Sequence, residues 1–376
     1  MASPVPILLM IRELGLGGTE RQLSAVARSL DPSKFTVHIG CFQDQGLRRQ
    51  ELDQAGIPIV RFPVRSFRSP SLFTGALEMR RYIREHGIRL VHPFDYPAIA
   101  FGIPVARTCS NVVAVSSQRY HRSLRPGWPH HMQRVTDRLA DAVVVNCEYL
   151  ARHLREEEHV PAERIHLCYN GLDLDIFRPI PGPRRPEVAE ASLVIGVVCA
   201  LRPEKDLSTL LTAFARVRNL RAGMKLLIVG DGICKSDLQE QAKILSIFDD
   251  CVFLPAKAEV AELLRSIDIF VLPSLSEALS NSLMEAMACG CCAVASRTGG
   301  NVELVADGRT GWLFEPGNVT ELAQVLENVI EHDARRKDAA EKGQQFLQEG
   351  FSFAAMGRRM EEIYSALLPP RTTQQA

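Results

Sequence analysis

Surplus charge of either sign, long apolar runs and the cysteine spacing of a zinc site are all missing from this chain. Each absence removes a class of function. Lys+Arg and Asp+Glu number 44 each over 376 residues, so nothing draws bulk nucleic acid and no nucleic-acid partner is expected. No stretch approaches the roughly 18 apolar residues of a membrane-spanning helix. Residues 1–10 lack the basic opening of a secretory leader. The ten cysteines are scattered apart from Cys289, Cys291 and Cys292, without the spacing of a four-cysteine zinc site. Most lie in apolar segments, as buried reduced thiols do in a reducing cytosol. No metal is expected, and the expected setting is cytoplasmic. There is no repeat of solenoid length, and the polar stretch 372–376 is the only biased tract.

What is present points to an ordinary globular enzyme, 46% hydrophobic and 23% charged, long enough for two domains with separate cores. The charge is unevenly split. Residues 1–182 carry 23 Lys+Arg against 18 Asp+Glu, and residues 183–376 carry 21 against 26. The basic first half suits an anionic partner or a peripheral contact with the inner face of a membrane.

Apolar runs alternate with helical patterns throughout. Strands are expected at residues 6–11, 36–41, 59–62, 90–92, 112–116, 142–145 and 165–168, with helices between them, among them 19–30, 71–86 and 129–139. Residues 177–190 contain Pro179, Pro181, Pro183 and Pro186 and read as a linker. The alternation then restarts with strands at 193–199, 225–229, 252–254, 267–272 and 293–295. Such βαβα order predicts two doubly wound α/β domains, with ligands at the carboxyl ends of the strands. The last helix, about 353–367, can pack on either domain.

The most informative stretch is Pro273-Ser-Leu-Ser-Glu277-Ala-Leu-Ser-Asn-Ser-Leu-Met-Glu285-Ala-Met-Ala-Cys-Gly290. A strand running through a Ser-rich turn into a helix aims backbone N–H groups at one spot and attracts phosphate. Two carboxylates there suit hydroxyl groups beside the phosphate, so the segment suggests a sugar nucleotide. The bland account of Glu285 is a capping box, Ser282-x-x-Glu285.

The pattern Glu277-x7-Glu285 is followed by Gly299-Gly300-Asn-Val-Glu303-Leu-Val-Ala-Asp-Gly308-Arg-Thr-Gly311. With Gly17-Gly18-Thr19-Glu20, Asn146-Cys-Glu, Tyr169-Asn170-Gly171-Leu-Asp173 and Arg202-Pro-Glu-Lys205-Asp, it closely resembles family 4 of the retaining glycosyltransferases. The likeness covers most of the chain. It implies the GT-B fold, two Rossmann-like domains facing each other across a cleft. The acceptor-side domain would be 1–180 and the nucleotide-sugar domain 181–350. Residues 351–376 would add a helix crossing back to the first domain, plus a polar tail.

The resemblance also implies roles. Arg202, Lys205 and Glu277 would be catalytic. The first two would neutralise the diphosphate leaving group in place of a metal, and Glu277 would contact hydroxyls of the transferred sugar. Glu285 would take the ribose. Backbone groups of Leu279, Ser280, Asn281 and Ser282 would hold sugar and phosphate oxygens, with Gly17, Gly18 and Gly230 close to the donor. The base would lie near Pro255-Ala256-Lys257. His92 and Asp95 would line the acceptor or sugar side. Arg119 and Arg122, in a basic and aromatic stretch that includes Arg125, would meet an acceptor phosphate or lipid head group. The family pattern places an arginine five residues before the lysine, where this chain has Ala200; Arg202 would substitute for it.

The expected activity is therefore hexosyl transfer from a nucleotide sugar to a hydroxyl, on a lipid-linked or cell-envelope glycan. Domain closure would exclude water, and no cofactor would be needed. Two other classes stay open: a sugar-nucleotide epimerase on the same fold, and a non-catalytic sugar-nucleotide-binding protein. A nicotinamide dehydrogenase fits poorly, because Gly15-x-Gly17-Gly18 lacks the full GxGxxG spacing.

Overall fold

The structure, a computed structural model, describes residues 3–124 and 127–368. Arg125 and the tail 372–376 lie outside the described residues. The chain divides into two compact units. One holds residues up to Gly171 together with the segment from Phe353 onward, and the other is Leu172–Ser352.

In the first unit the strands are β1 (Val5–Glu13), β2 (Phe35–Gln43), β3 (Ile59–Arg61), β4 (Leu90–Pro93), β5 (Val113–Gln118), β6 (Ala142–Val145) and β7 (Ile165–Leu167). They form one parallel sheet in the order β3-β2-β1-β4-β5-β6-β7. Successive side chains of a strand point to opposite faces, and β1 shows the consequence. Ile7, Leu9 and Ile11 pack with Leu23 and Val26 of the helix Gly18–Ser29 and with Met356, Met360 and Tyr364. Leu8 and Met10 join Phe62, Met79, Ile99 and Phe101 on the other face. The two edge strands are three residues long and only partly buried, a length that gives little purchase to a foreign strand.

The second unit contains β8 (Leu193–Val198), β9 (Met224–Val229), β10 (Cys251–Leu254), β11 (Ile269–Leu272), β12 (Cys292–Ser296) and β13 (Trp312–Phe314). Its parallel sheet runs β10-β9-β8-β11-β12-β13. Leu193, Ile195 and Val197 of β8 pack with Leu210 and Phe214 of one helix and with Leu322 and Leu326 of another. The short β13 was not expected from sequence. Its three residues follow the turn around Gly308 and Gly311, and pairing with β12 makes them a strand.

One boundary differs from expectation. The proline-rich segment 177–190 is no free linker. Arg184 pairs with Asp268 at 2.6 Å, the Arg185 N–H donates to Ser266 Oγ at 3.0 Å, and Arg265 Nε donates to the Arg178 carbonyl at 2.9 Å. Those contacts tie it to the second unit, so the division falls after Gly171 rather than at 180. The helix Phe353–Leu367 belongs to the first unit, against the helix Gly18–Ser29. Gly357 permits this approach, because a Cβ there would stand 2.7 Å from the Ser29 carbonyl oxygen. Glu361 completes the contact, accepting from the Asp31 N–H and from Lys34 Nζ, both at 2.7 Å.

Because Met360 is fully buried in this contact, Met360→Ala is expected to lower the stability of the first unit by about 2–5 kcal/mol. The exposed neighbour Arg358→Ala should change it by less than about 0.5 kcal/mol. Urea unfolding of the two variants and the parent protein measures both.

Candidate active site

Each sheet reverses its strand order once, and at such a point the loops leaving two neighbouring strands diverge and open a crevice. In the second unit the reversal lies between β8 and β11. The loop after β8 carries Arg202 and Lys205, and the loop after β11 carries Glu277. They meet: Lys205 Nζ forms a hydrogen-bonded ion pair with Glu277 Oε1, and Ser274 Oγ donates to the same oxygen at 2.9 Å. A backbone bond joins the loops directly, from the Leu275 N–H to the Glu204 carbonyl at 2.8 Å.

Burial pulls the Lys205 ammonium's pKa down, but the Glu277 charge and hydrogen bond together outweigh it and raise the net value above 10.5. The lysine's contribution is thus complete at neutral pH and is lost as pH rises through that higher value. Beside it, burial pushes the Cys199 thiol up to about 12, so the sulfur stays protonated. Arg202 is different. Its side chain is 65% exposed, with Glu204 at 4.0 Å, and it can swing toward an anion.

The helix Asn281–Ala288 starts at the same crevice. Its N-cap is Ser280, whose Oγ accepts from the Leu283 N–H at 3.3 Å. The capping box proposed for Ser282 and Glu285 is therefore incorrect. Ser280 and Ser282 are two residues apart, and the chain enters the helix at the first. Glu285 lies in the second turn, only 2% exposed, so its burial owes nothing to capping. Leu279 and Ser280 are buried too, whereas Asn281 and Ser282 are partly open. The N-terminal end of this helix contributes a partial positive charge to the crevice.

Residues that the sequence reading passed over shape the Glu277 loop from behind. Gly299 has φ +54°, and a Cβ on it would stand 1.9 Å from the Glu277 carbonyl oxygen. The Gly300 N–H donates to the Ala278 carbonyl at 2.7 Å, Ser296 Oγ donates to the Ser274 carbonyl at 2.6 Å, and Asn301 donates to the Ser296 carbonyl at 3.1 Å. The Gly299-Gly300 pair was the visible signal, but its target was not.

Gly230 has φ +153° and would place a Cβ 1.9 Å from the Cys199 carbonyl oxygen. Its observed task is to let the turn after β9 lie against the turn after β8, where the Leu201 N–H donates to Asp231. Asp231 also accepts from the Ala256 N–H at 2.7 Å, so that amide of the 255–257 loop is already engaged.

In the first unit the strand order reverses between β1 and β4. Gly17 and Gly18 begin the helix after β1, with Gly17 in an extended conformation that any residue adopts. Asp95 follows β4, and its carboxylate is used structurally. It caps the helix Tyr96–Arg107 by accepting from the Ala98 N–H at 3.0 Å and also accepts from the Arg12 N–H at 3.1 Å. Burial raises its pKa to about 6 against the pull of those two bonds.

Two expected acceptor-side contacts need correction. His92 is fully buried, with Tyr364 Oη 2.7 Å from Nδ1 and Ser117 Oγ 2.7 Å from Nε2, which leaves no ring nitrogen for a ligand. Desolvation, with Arg119 adding to it, holds its pKa well below the ordinary range. Arg122 is 1% exposed and sits between Asp137 and Glu158, with Glu158 at 3.2 Å, so it meets no outside phosphate. Arg119 is partly buried, donating to Asn170 Oδ1 at 3.0 Å over the Phe94 ring at 4.6 Å. Burial lowers its pKa to about 10, still fully charged at neutral pH.

The family profile described as "Glycosyl transferases group 1" matches residues 183–346, and that of "Glycosyltransferase Family 4" matches residues 16–176. A putative glycosyltransferase EpsF of Bacillus subtilis is 27% identical over 76% of this chain and 77% of its own length. The D-inositol 3-phosphate glycosyltransferase of Mycobacteroides abscessus is 33% identical over 61% of this chain. There the match spans 54% of the relative's length, so the chain aligns with only about half of that relative. Among solved structures, a glycosyltransferase from Rickettsia africae superposes with a TM-score of 0.84 at 19% identity, covering 98% of this chain and all of the other. The Anabaena protein Alr3699/HepE, crystallised with UDP and glucose, gives 0.82 at 22% identity over 96% and 99%. At these identities the structures bear on the fold alone.

The support behind the Glu277 loop is open to test. Gly299→Ala should destabilise the second unit by at least about 1 kcal/mol, because both the dihedral and the space are wrong. Gly299→Asn tolerates the dihedral but still drives a Cβ into the Glu277 carbonyl, so it should do no better. Equal stability of the Asn variant and the parent in thermal unfolding would show that the steric contact does not matter.

Proposed function

The chain belongs to the group 1/family 4 glycosyltransferases, and from that membership we propose that it moves a sugar from a nucleotide diphosphate sugar to a hydroxyl acceptor with retention of configuration. The observation that carries the proposal is the Lys205–Glu277 pair at the β8/β11 reversal. A cation and a carboxylate held side by side match the two halves of such a donor, an anionic diphosphate next to a hydroxyl-bearing sugar. The Anabaena protein of the same fold is crystallised with UDP and with UDP-glucose, ligands of the class proposed here.

In this reading the diphosphate competes with Glu277 for Lys205, and exposed Arg202 joins from the same loop. Glu277, released from its partner, turns to the sugar hydroxyls. The bond between the anomeric carbon and the diphosphate oxygen breaks, with its electron pair leaving on that oxygen. The acceptor hydroxyl bonds to the carbon on the same face and gives its proton to the departing phosphate oxygen. Lys205 and Arg202 stabilise the negative charge that grows there, so the reaction calls for no side-chain base and no metal. We assign the ribose to Glu285. Its burial means that the turn 277–281 must shift for the ribose to arrive.

The first unit serves the acceptor, a lipid-linked or cell-envelope glycan, and makes a peripheral membrane contact. That reading is supported by the helix Ser71–Glu85, where Phe73 and Leu77 are exposed at 73% and 64%. Arg80 and Arg84 continue the same face at helical spacing and are exposed as well. No helix among the described residues is long and apolar enough to cross a membrane.

Lys205→Ala should lower kcat for sugar transfer by about 10²–10³-fold, and Glu285→Gln should weaken donor binding by about tenfold. Kinetics with a panel of nucleotide sugars, and NMR of the product's anomeric proton, provide the measurements. Unchanged kinetics in both variants would remove the site assignment. Formation of an epimer from the donor alone would replace transfer with epimerisation.

Phe73→Ser combined with Leu77→Ser should reduce co-sedimentation with anionic phosphatidylglycerol vesicles by at least about fivefold, since two apolar anchors are lost. Binding that survives both changes would locate the contact elsewhere.

A further inference from the structure

The first unit contains a group of side chains that sugar transfer does not use. His121 follows β5, while His153 and Glu157 lie four residues apart at the end of the helix Glu148–Glu156, on one face. One potential ligand atom from each of the three lies within 4.8 Å of the other two. The His121 and His153 rings are 4.2 Å apart and tilted by 44°.

His153 is only 6% exposed, and neither of its ring nitrogens makes a hydrogen bond. Glu157 Oε2 nevertheless lies 3.1 Å from Nδ1. A buried imidazole with no hydrogen bond is costly unless something else satisfies it. The nearby charges do not oppose a cation. Arg122 is matched by Asp137 and Glu158, and Glu158 is also held by Arg134 at 3.0 Å and His130 at 2.6 Å.

We propose that His121, His153 and Glu157 bind one divalent transition-metal cation of the zinc class, with water completing the coordination. Two imidazole nitrogens and one carboxylate oxygen form a donor set for zinc, cobalt or nickel rather than magnesium or calcium. Bonds of about 2.0–2.2 Å bring tetrahedral ligand atoms to about 3.3–3.6 Å from one another. The Glu157 carboxylate, 67% exposed, has room to close the remaining gap. The bound ion would pin the segment after β5, which carries Arg119 and Arg122, to the helix Glu148–Glu156. The expectation from sequence was that no metal binds. That expectation rested on cysteine spacing and on the family resemblance, and these three ligands come from segments about thirty residues apart.

Isothermal titration of the chelator-treated full-length protein with zinc chloride tests the proposal, with cobalt chloride as a spectroscopic probe. One zinc per chain should bind with a dissociation constant at or below about 10 µM. Cobalt should give the visible absorption of a tetrahedral site, and magnesium should give no binding. Glu157→Gln, at an exposed position that folding does not depend on, should weaken zinc binding by about 10- to 100-fold, and so should His121→Ala. No zinc uptake would overturn the proposal and leave His153 and Glu157 as an ion pair. Undiminished uptake in both variants would overturn it equally.

Discussion

The ion pair between Lys205 and Glu277 is the constraint on which the second unit's site depends. Two loops leave neighbouring strands on either side of a strand-order reversal, and without a tie they would diverge. The pair closes that gap with charge, and the Glu204–Leu275 backbone bond closes it with geometry. Both charged groups are largely buried, with 20% and 11% of their side chains exposed. Neither could be left alone there, because an unpaired buried charge costs far more than the pair gains. The arrangement is therefore held in readiness for a replacement of like sign. In the proposed reaction a diphosphate takes the place of the carboxylate beside Lys205, and a neutral ligand would leave that charge uncompensated.

The alternation of elements and the residues at the strand ends were legible in the sequence because they depend on local patterning. Apolar runs become central strands wherever helices cover both faces, and the resemblance singled out Lys205 and Glu277, which the structure brings together. What depended on distant partners was not legible. Arg122 belongs to a basic stretch and looks solvent-facing until Asp137 and Glu158, 15 and 36 residues further along, enclose it. His92 ends a strand where a ligand contact is natural, but Tyr364 from the far end of the chain occupies it. The helix cap was ambiguous for a smaller reason. Ser280 and Ser282 have the same chemistry, and the choice between them rests on one backbone dihedral. The proline-rich segment 177–190 misled because proline marks both linkers and irregular but well-packed chain. Asp268, Ser266 and Arg265, far along the sequence, show which it is.

Glycine at this site is best understood as a way to bring backbone against backbone. Gly230 lies against the Cys199 carbonyl and Gly299 against the Glu277 carbonyl, each at a distance no Cβ could occupy. The two glycines sit behind the two loops that meet at the ion pair, one behind each. A side chain at either would push its loop forward, and the charges would separate. Their contribution to the site is thus indirect but steric, with no need for either to touch a ligand. The same argument separates them from Gly17, whose extended conformation imposes no such demand and whose hypothetical Cβ would meet only the movable Glu20 carboxylate.

The two units share a topology but spend their strand-order reversals differently. In the first, the carboxylate at the crevice, Asp95, is consumed by two backbone N–H groups, one capping a helix and one on β1. Those bonds rigidify the β1/β4 crevice and leave that carboxylate committed to the scaffold. In the second, the Asn281–Ala288 helix is capped by a serine hydroxyl, which spares both Glu277 and Glu285 from that duty. A neutral cap on one helix and a charged cap on the other thus decide which reversal retains ionisable groups for chemistry. With Arg202 exposed on the adjoining loop, the second unit keeps charged side chains that can respond to an arriving anion, in keeping with the donor site proposed there.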